Sequence, residues 1–130
     1  MDTPHSTVTI FRREQLCAIT SGAISTIAPI THIVLGAGGI DSSGNPIDPT
    51  EDQTTLNAQV AVYPVESVTY PLLPNTAARY TISVSTELVG QAISEAGLLD
   101  ANGNLCAVRN FLAYPVQNSI NMIFQFDDEF

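Results

Sequence analysis

A glycine-rich segment after an apolar run is the first place in this sequence where chemistry could occur. Ile33-Val-Leu-Gly-Ala-Gly-Gly39 begins like a dinucleotide-binding fingerprint, in which Gly-x-Gly follows a strand. That chemistry requires a helix directly after the glycines, because the helix N-terminus binds the pyrophosphate. Ile40-Asp-Ser-Ser-Gly-Asn-Pro46 follows instead, and the third glycine is adjacent to the second. The segment therefore predicts a glycine turn and no cofactor site.

Two loops imitate the first ligands of a calcium-binding EF-hand loop. The spacing occurs at Asp41, Ser43 and Asn45, and again at Asp100, Asn102 and Asn104. The sixth position of the first loop is Pro46 where glycine belongs, and neither loop has the bidentate Glu at its twelfth position. Both loops are typical of turns in which a carboxylate accepts hydrogen bonds from nearby backbone N–H groups. No metal site is predicted.

Catalysis or zinc binding would need the histidine and cysteine side chains to lie close together in the fold. His5 and His32, with Cys17 and Cys106, have no finger-like spacing. His5 is expected in a mobile N-terminus, and His32 at a strand face or subunit contact. The cysteines are expected to be free, buried thiols, with a disulfide or a Cys17–His32 pair as the alternatives. We predict no catalytic residue and no enzymatic activity.

The charge balance excludes one class of partner. Thirteen acidic residues against four basic ones give a net charge of −9, whereas nucleic-acid binding requires clustered Lys and Arg. The close basic pair Arg12-Arg13 is expected in a solvated turn or in a salt bridge. No apolar run approaches the ~20 residues that span a bilayer, so no membrane contact is predicted. The N-terminus has no secretory signal, which favours synthesis in a reducing cytoplasm.

The chain of 130 residues predicts a single domain, 1–130, that is mainly β. Strands are predicted at 30–35, 59–70, 79–86, 93–99, 104–111 and 120–126, with 7–11 as a strand or an extended lead-in. A helix is predicted at 12–19, ending near Gly22, and a second short helix begins at Asp48 or Thr50. The connections predict an antiparallel β-sandwich or small barrel with one or two short helices.

Three details of these strands are specific enough to test. Pro64 predicts an edge strand or a kink within 59–70. Asp127-Asp-Glu129 is expected to end the last strand by like-charge repulsion and to form a solvated tail. A hairpin turn is predicted at Asn102 and Gly103, where both residues tolerate positive φ.

The hairpin region also resembles a known family. The segment from Glu95 to Phe111 is similar to the "EVGLFDADGNLIA" signature of phage tail-collar fibre proteins. Ile30-Thr-His-Ile-Val-Leu-Gly-Ala-Gly-Gly39 is similar to that family's "ITHIALGDGG", although Ala37 replaces its Asp. Two further blocks, at 11–22 and at 54–60, fall in the family's order.

This resemblance implies a structural role, in which the protein anchors a receptor-binding fibre to a tail, a baseplate or a tail-like injection machine. Because the chain stops at Phe130 without a fibre shaft, it resembles the attachment module alone, a collar or adaptor subunit. The implied partners are other copies of itself, as a trimer, baseplate or tube proteins, and a fibre protein. The implied locations are the host cytoplasm during assembly and then the virion tail. The alternative is a small ligand- or carbohydrate-binding β-sandwich, which would need an aromatic platform.

Partner contacts are predicted mainly on the long loop between Gly36 and Pro49, since irregular backbone can reach a partner. A further contact is expected on the polar face of strand 79–86 or at the edge near 60–68. The predicted partner-binding residues are Gly36, Gly38, Gly39, Asp41, Asn45, Pro46 and Arg79. Asn102 and Gly103 are predicted to be structural.

Overall fold

The computed structural model of the protein describes residues 5–84, 88–116 and 122–129, and these are mainly β-strands. In chain order the elements are β1 (Ser6–Val8), α1 (Ile10–Thr20), β2 (Ile30–Gly36), β3 (Gln59–Pro64), β4 (Ser67–Thr69), β5 (Ala77–Val84), β6 (Ala92–Asp100), β7 (Leu105–Pro115) and β8 (Met122–Glu129). Each predicted strand is therefore present with small differences in its bounds, except that residues 10–11 begin α1. Residues 85–86 and 120–121 lie outside the described residues.

The strands form two antiparallel sheets packed as a sandwich. The five-stranded sheet has the order β1-β7-β6-β2-β3, and the three-stranded sheet has the order β4-β5-β8. The predicted kink at Pro64 is the point where the chain leaves the first sheet for the second. The Val65 N–H donates to the Thr31 carbonyl at 2.9 Å, and the Glu66 N–H donates to the Thr81 carbonyl at 2.9 Å. This corner joins the two sheets along one side.

The main core lies between the sheets and includes Ile33, Leu35, Ile82 and Phe126, each at most 3% exposed. A smaller cluster on the other face of the five-stranded sheet contains Val34, Leu56, Leu105 and Val108. Strand β2 is buried on both faces, which explains its continuous apolar run.

Hydrogen bonds cap helix α1 at both ends. The N-cap is Thr9, whose hydroxyl oxygen accepts from the Arg12 N–H at 3.3 Å and donates to the Leu105 carbonyl at 2.7 Å. At the other end, Gly22 has a φ of +85°, and the Ala23 N–H donates to the Ala18 carbonyl at 2.8 Å. This is the Schellman geometry that glycine favours, so the predicted end of the helix is confirmed.

The second predicted helix is wrong, because residues 48–58 form turns without a helix. One half of the capping box does form, since the Thr50 N–H donates to the Gln53 side-chain oxygen at 2.9 Å. The N–H groups of Asn57 and Ala58 bind the Glu95 carboxylate instead of helix carbonyls. These long-range hydrogen bonds take the place of the hydrogen bonds that a helix would form in this segment.

The expected end of the last strand before the acidic residues is also wrong. Strand β8 continues to Glu129 and pairs with β5 over its full length. Asp127 is paired with Arg79, and the buried Asp128 lies 2.7 Å from an Arg12 nitrogen. These ion pairs remove the repulsion that was expected to stop the strand.

The hairpin between β6 and β7 is confirmed, but its turn is one residue longer than predicted. Only Gly103 has a positive φ, +84°, while Asn102 does not. The Asp100 N–H donates to the Asn104 carbonyl at 3.0 Å, and the Gly103 N–H donates to the Asp100 carbonyl at 3.0 Å. This is a three-residue loop with a glycine bulge.

The expectations for the small reactive side chains were partly wrong. Cys17 and Cys106 are free as predicted, but only Cys106 is buried. Burial raises the pKa of the Cys106 thiol to about 11. His5 contacts Asp48 at 2.7 Å, and the His32 ring nitrogen Nδ1 lies 2.8 Å from the Thr31 hydroxyl.

Candidate partner-binding site

A buried carboxylate holds the glycine segment against the five-stranded sheet. Glu95, in β6, has no exposed surface. Its Oε2 accepts hydrogen bonds from the N–H groups of Gly38 and Ala58, both at 2.7 Å. Its Oε1 accepts from the Asn57 N–H at 2.9 Å. These three hydrogen bonds to one carboxylate join both ends of the connection between β2 and β3 to β6.

The glycines allow the backbone to approach this carboxylate. A Cβ added at Gly36 would lie 2.6 Å from Glu95 Oε2, and one at Gly38 would lie 2.8 Å from the same atom. A Cβ at Gly39 would overlap the backbone carbonyl of Ser94. The Gly39 N–H also donates to the Ser94 hydroxyl at 2.9 Å. The glycine run is therefore explained by packing within the chain.

Beyond the glycines the chain forms a small exposed tip, residues 40–46. Ile40 and Pro46 make an isolated β-bridge, and the Asp41 N–H donates to the Asn45 carbonyl at 2.9 Å. Asp41 Oδ1 accepts from the N–H groups of Ser43 at 2.9 Å and Asn45 at 3.0 Å. These are the Asp-centred turn bonds that the sequence predicted in place of a calcium site.

The loop is also attached at its return. The Ile47 N–H donates to the Gly39 carbonyl at 3.0 Å, and the buried Asn110 side chain donates to the Ile47 carbonyl at 2.9 Å. The Asn57 side chain donates to the Gly38 carbonyl at 3.0 Å. The tip therefore projects from a base that the sheet fixes on both sides.

The structure separates the predicted partner-binding residues into three groups. Gly36 and Gly39 are buried, and Gly38 is half-buried at the Glu95 carboxylate. Asp41, Asn45 and Pro46 lie at the tip, where Asp41 and Asn45 are exposed. Arg79 lies in β5 of the other sheet. The partner-binding role of all seven residues stays a prediction.

Arg79 is engaged within its own sheet. Its Nε lies 2.8 Å from Asp127 Oδ1, and its second nitrogen lies 3.0 Å from Asp127 Oδ2. The hydrogen bond from Arg79 lowers the pKa of Asp127. At the neighbouring Asp128, burial raises the pKa despite the opposing charge of Arg12. The polar face of β5 therefore has a fixed ion pair rather than a free cation.

A second surface, which sequence analysis missed, is an apolar groove of about 410 Å³ between α1, residues 27–30 and the β4–β5 pair. Its exposed apolar side chains are Ile27, Val68 and Tyr70, which are 37%, 42% and 58% exposed. They come from segments far apart in the sequence, so no periodic pattern indicates them. Only the apolar residues between Pro64 and Pro71 hint at an unusual surface.

The described residues contain no group of three or more His, Cys, Asp or Glu side chains arranged to hold a metal ion. Within the same ranges, no helix has the length and apolar character to cross a membrane.

Comparison with known proteins places this architecture in a family. No curated protein matches the chain. The family model for the N-terminal part of phage tail-collar fibre proteins matches residues 7–115 of the 130. The matched segment runs from β1 to the last residue of β7 and contains the glycine segment, Glu95 and the hairpin. The chain therefore belongs to the phage tail-collar fibre protein family, as an N-terminal domain with a structural role in the tail.

Proposed function

We propose that this protein attaches a receptor-binding fibre to the tail or baseplate of a phage or a tail-like particle, as a collar or adaptor subunit. Membership of the tail-collar fibre family supports a structural place in the tail. The joint to the fibre and the joint to the baseplate are the functional steps that we add.

The observation that carries this proposal is the rigid mounting of an exposed loop. Glu95 fixes the chain at Gly38 on one side of the loop and at Ala58 on the other. Between these points, residues 41–43 and 50–52 are exposed. A loop that is already ordered loses little conformational entropy when it binds, so its contacts contribute more fully to affinity. Such a loop suits a permanent joint between particle subunits.

We also propose that copies of the chain contact one another along the edge formed by β3 and β4, as a trimer. Both strands lie at the ends of their sheets, and edge strands present backbone groups that can pair with a partner. Val62 and Val68 on this edge are 41% and 42% exposed. Light scattering coupled to size-exclusion chromatography tests this contact, and a protein that is monomeric both in isolation and in the particle would contradict it.

The attachment function is tested by deleting the gene and examining the particles. We expect tails that lack fibres and fail to adsorb to the host, with the fibre protein missing from the particle's mass spectrum. Complementation with the intact gene should restore both. Particles that keep their fibres and their adsorption after the deletion would contradict the attachment function.

A further inference from the structure

A groove separates the two sheets on the side opposite the β3–β4 corner. There β1 ends the five-stranded sheet and β8 ends the three-stranded sheet. Between them lies a cavity of about 310 Å³, lined by β1, by residues 107–109 of β7 and by residues 126–129 of β8. The Arg109 guanidinium lies 5.0 Å from the centre of the Phe126 ring in its wall. We call this groove the β1–β8 seam.

The backbone of β1 directs hydrogen-bonding groups into the seam. The His5 carbonyl accepts from the Asn110 N–H at 2.8 Å, and the Thr9 N–H donates to the Cys106 carbonyl at 3.1 Å. Residues of an antiparallel strand alternate in the side to which their N–H and C=O groups point. Since residues 5 and 9 bond toward β7, Val8 directs its backbone groups away from β7.

The same argument applies to β8. The Thr81 carbonyl accepts from the Glu66 N–H at 2.9 Å, and the Ser83 N–H donates to the Glu66 carboxylate at 2.6 Å. The backbone N–H and C=O groups of odd-numbered residues of β5 therefore point toward β4. Those of even-numbered residues, such as Tyr80, point toward β8. Tyr80 is opposite Phe126 in the ladder. Consequently Asp127, next to Phe126, directs its backbone groups away from β5.

We propose that the β1–β8 seam receives an extended strand from a neighbouring tail subunit. Such a strand would pair with two edges at once and close the open side of the sandwich, which is a form of β-strand addition. The inference deepens the proposed attachment function and rests on it for the source of the strand.

Charge identifies the kind of strand. Every arginine already has an acidic or aromatic neighbour in this chain: Arg12 with Asp128, Arg13 with Glu51, Arg79 with Asp127, and Arg109 with Phe126. The chain has no lysine, and its net charge is −9. Three acidic residues of β8, Asp127, Asp128 and Glu129, line the seam against one arginine, Arg109, so the acidic surface of a second copy would add like charge there. Complementarity therefore favours a strand of a different protein that carries Lys or Arg.

Hydrogen exchange of the intact protein, alone and in assembled particles, tests this inference. In the isolated protein the amides of Val8 and Asp127 should exchange like those of an open edge. In the particle they should exchange at least about tenfold more slowly, because a strand would protect them. The amides of the buried strand β2 are the control and should be protected in both samples.

Proline variants test the same backbone groups through assembly. Val8→Pro and Asp127→Pro remove an outward N–H, and proline is tolerated on edge strands. The matched controls Val8→Ala and Asp127→Ala make a similar side-chain loss but keep the N–H. We expect each proline variant to be incorporated about tenfold less than its alanine control, because backbone pairing is blocked. Circular dichroism and melting temperature identify the folded variants to compare.

Carbodiimide cross-linking of whole particles identifies the occupant. A lysine joined to Asp127 or Glu129 must come from another protein, because this chain has none. The inference is overturned if the protein is present in particles but its Val8 and Asp127 amides exchange as fast as in isolation. Protection already present in the dilute isolated protein would also overturn it. If the protein is absent from particles, the proposed function fails instead.

Discussion

Two turns in this protein have the same local structure and different surroundings. In one, Asp41 Oδ1 accepts from the N–H groups two and four residues later, and Gly44 has a φ of +83°. In the other, Asp100 Oδ1 accepts from the corresponding N–H groups of Asn102 and Asn104, and Gly103 has a φ of +84°. The bond from the Asp N–H to the carbonyl four residues later is also present in both.

The two turns differ in the segments that flank them. The turn at Asp100 joins β6 to β7, whose ladder runs through the core, and Asp100 is only 5% exposed. The turn at Asp41 is flanked by one isolated bridge, and the Glu95 carboxylate holds the base of its loop. A five-residue pattern therefore determines the turn, while distant contacts decide whether the turn serves folding or presents a surface.

Of the changes that distinguish the two turns, removal of the Glu95 carboxylate should lower the stability of the protein most. Glu95→Ala should lower the free energy of unfolding by about 4 kcal/mol, because a carboxylate with no exposed surface is lost together with the three backbone hydrogen bonds that it accepts. Glu95→Gln keeps the shape but replaces one accepting oxygen with an NH₂ group, so we expect an intermediate loss. Chemical denaturation measures both. A loss below 1 kcal/mol, on the scale of ordinary surface substitutions, would show that the carboxylate does not hold the loop.

Adding a methyl group at the base of the loop, at Gly39, and at its tip, at Gly44, should separate the cost of close packing from the cost of backbone strain. Gly39→Ala should cost about 3 kcal/mol, because its Cβ overlaps the Ser94 backbone and β6 must shift. Gly44→Ala meets open space and should cost about 1–2 kcal/mol from its positive φ alone. Thermal melting of the two variants compares their losses of stability. Equal losses would contradict the close approach of Gly39 to the Ser94 backbone.

The two aspartates should differ although their hydrogen bonds are alike. Asp100→Ala should lower the free energy of unfolding by about 2 kcal/mol, since the N–H groups of Asn102 and Asn104 lose a buried carboxylate acceptor. Asp41→Ala should cost less than about 1 kcal/mol, because water can replace the carboxylate at the exposed tip. Urea unfolding of the two variants measures both losses of free energy. A larger loss for Asp41→Ala would contradict the conclusion that the turn at Asp100 is the one that stabilises the fold.

Valine at the two turn glycines should show the smallest difference between the two turns. Gly103→Val should cost about 1–3 kcal/mol from positive-φ strain, since nothing lies within 4 Å of its Cβ position. Gly44→Val carries the same strain, but its turn is outside any strand ladder and can relax, so we expect the lower end of that range. Melting temperatures compare them, and an unchanged value for Gly103→Val would contradict the structural role of the hairpin.

The sequence predicted the features that depend on neighbouring residues. The strands, the helix stop at Gly22, the Asp-centred turns and the break at Pro64 all follow from local propensity and backbone geometry. The features it missed depend on contacts between distant residues. The capping pattern at Thr50 indicated a helix because the capture of Asn57 and Ala58 by Glu95 is not visible locally. Likewise, the sequence does not show that Asp127 and Asp128 pair with Arg79 and Arg12, which lie far away in the chain.

The candidate site shows the same division. The long loop and its polar residues could be predicted as an exposed segment, since glycine, proline and aspartate cluster there. The sequence also marked Glu95, as the first residue of the family signature, but gave no physical reason for it. Neither the groove at Tyr70 nor the β1–β8 seam could be predicted, because each is formed by elements that lie far apart in the sequence.

The most direct test compares the two turns at equivalent positions, Ser43 and Asn102, each two residues after its aspartate and each exposed. Ser43→Arg and Asn102→Arg should leave the melting temperature nearly unchanged, because neither side chain is packed. Quantitative mass spectrometry of purified particles then measures incorporation. We predict that Ser43→Arg lowers incorporation at least about tenfold, equivalent to about 1.4 kcal/mol of lost binding, while Asn102→Arg is incorporated normally. Normal incorporation of Ser43→Arg, whatever the result for Asn102→Arg, would contradict the role of the exposed tip in attachment.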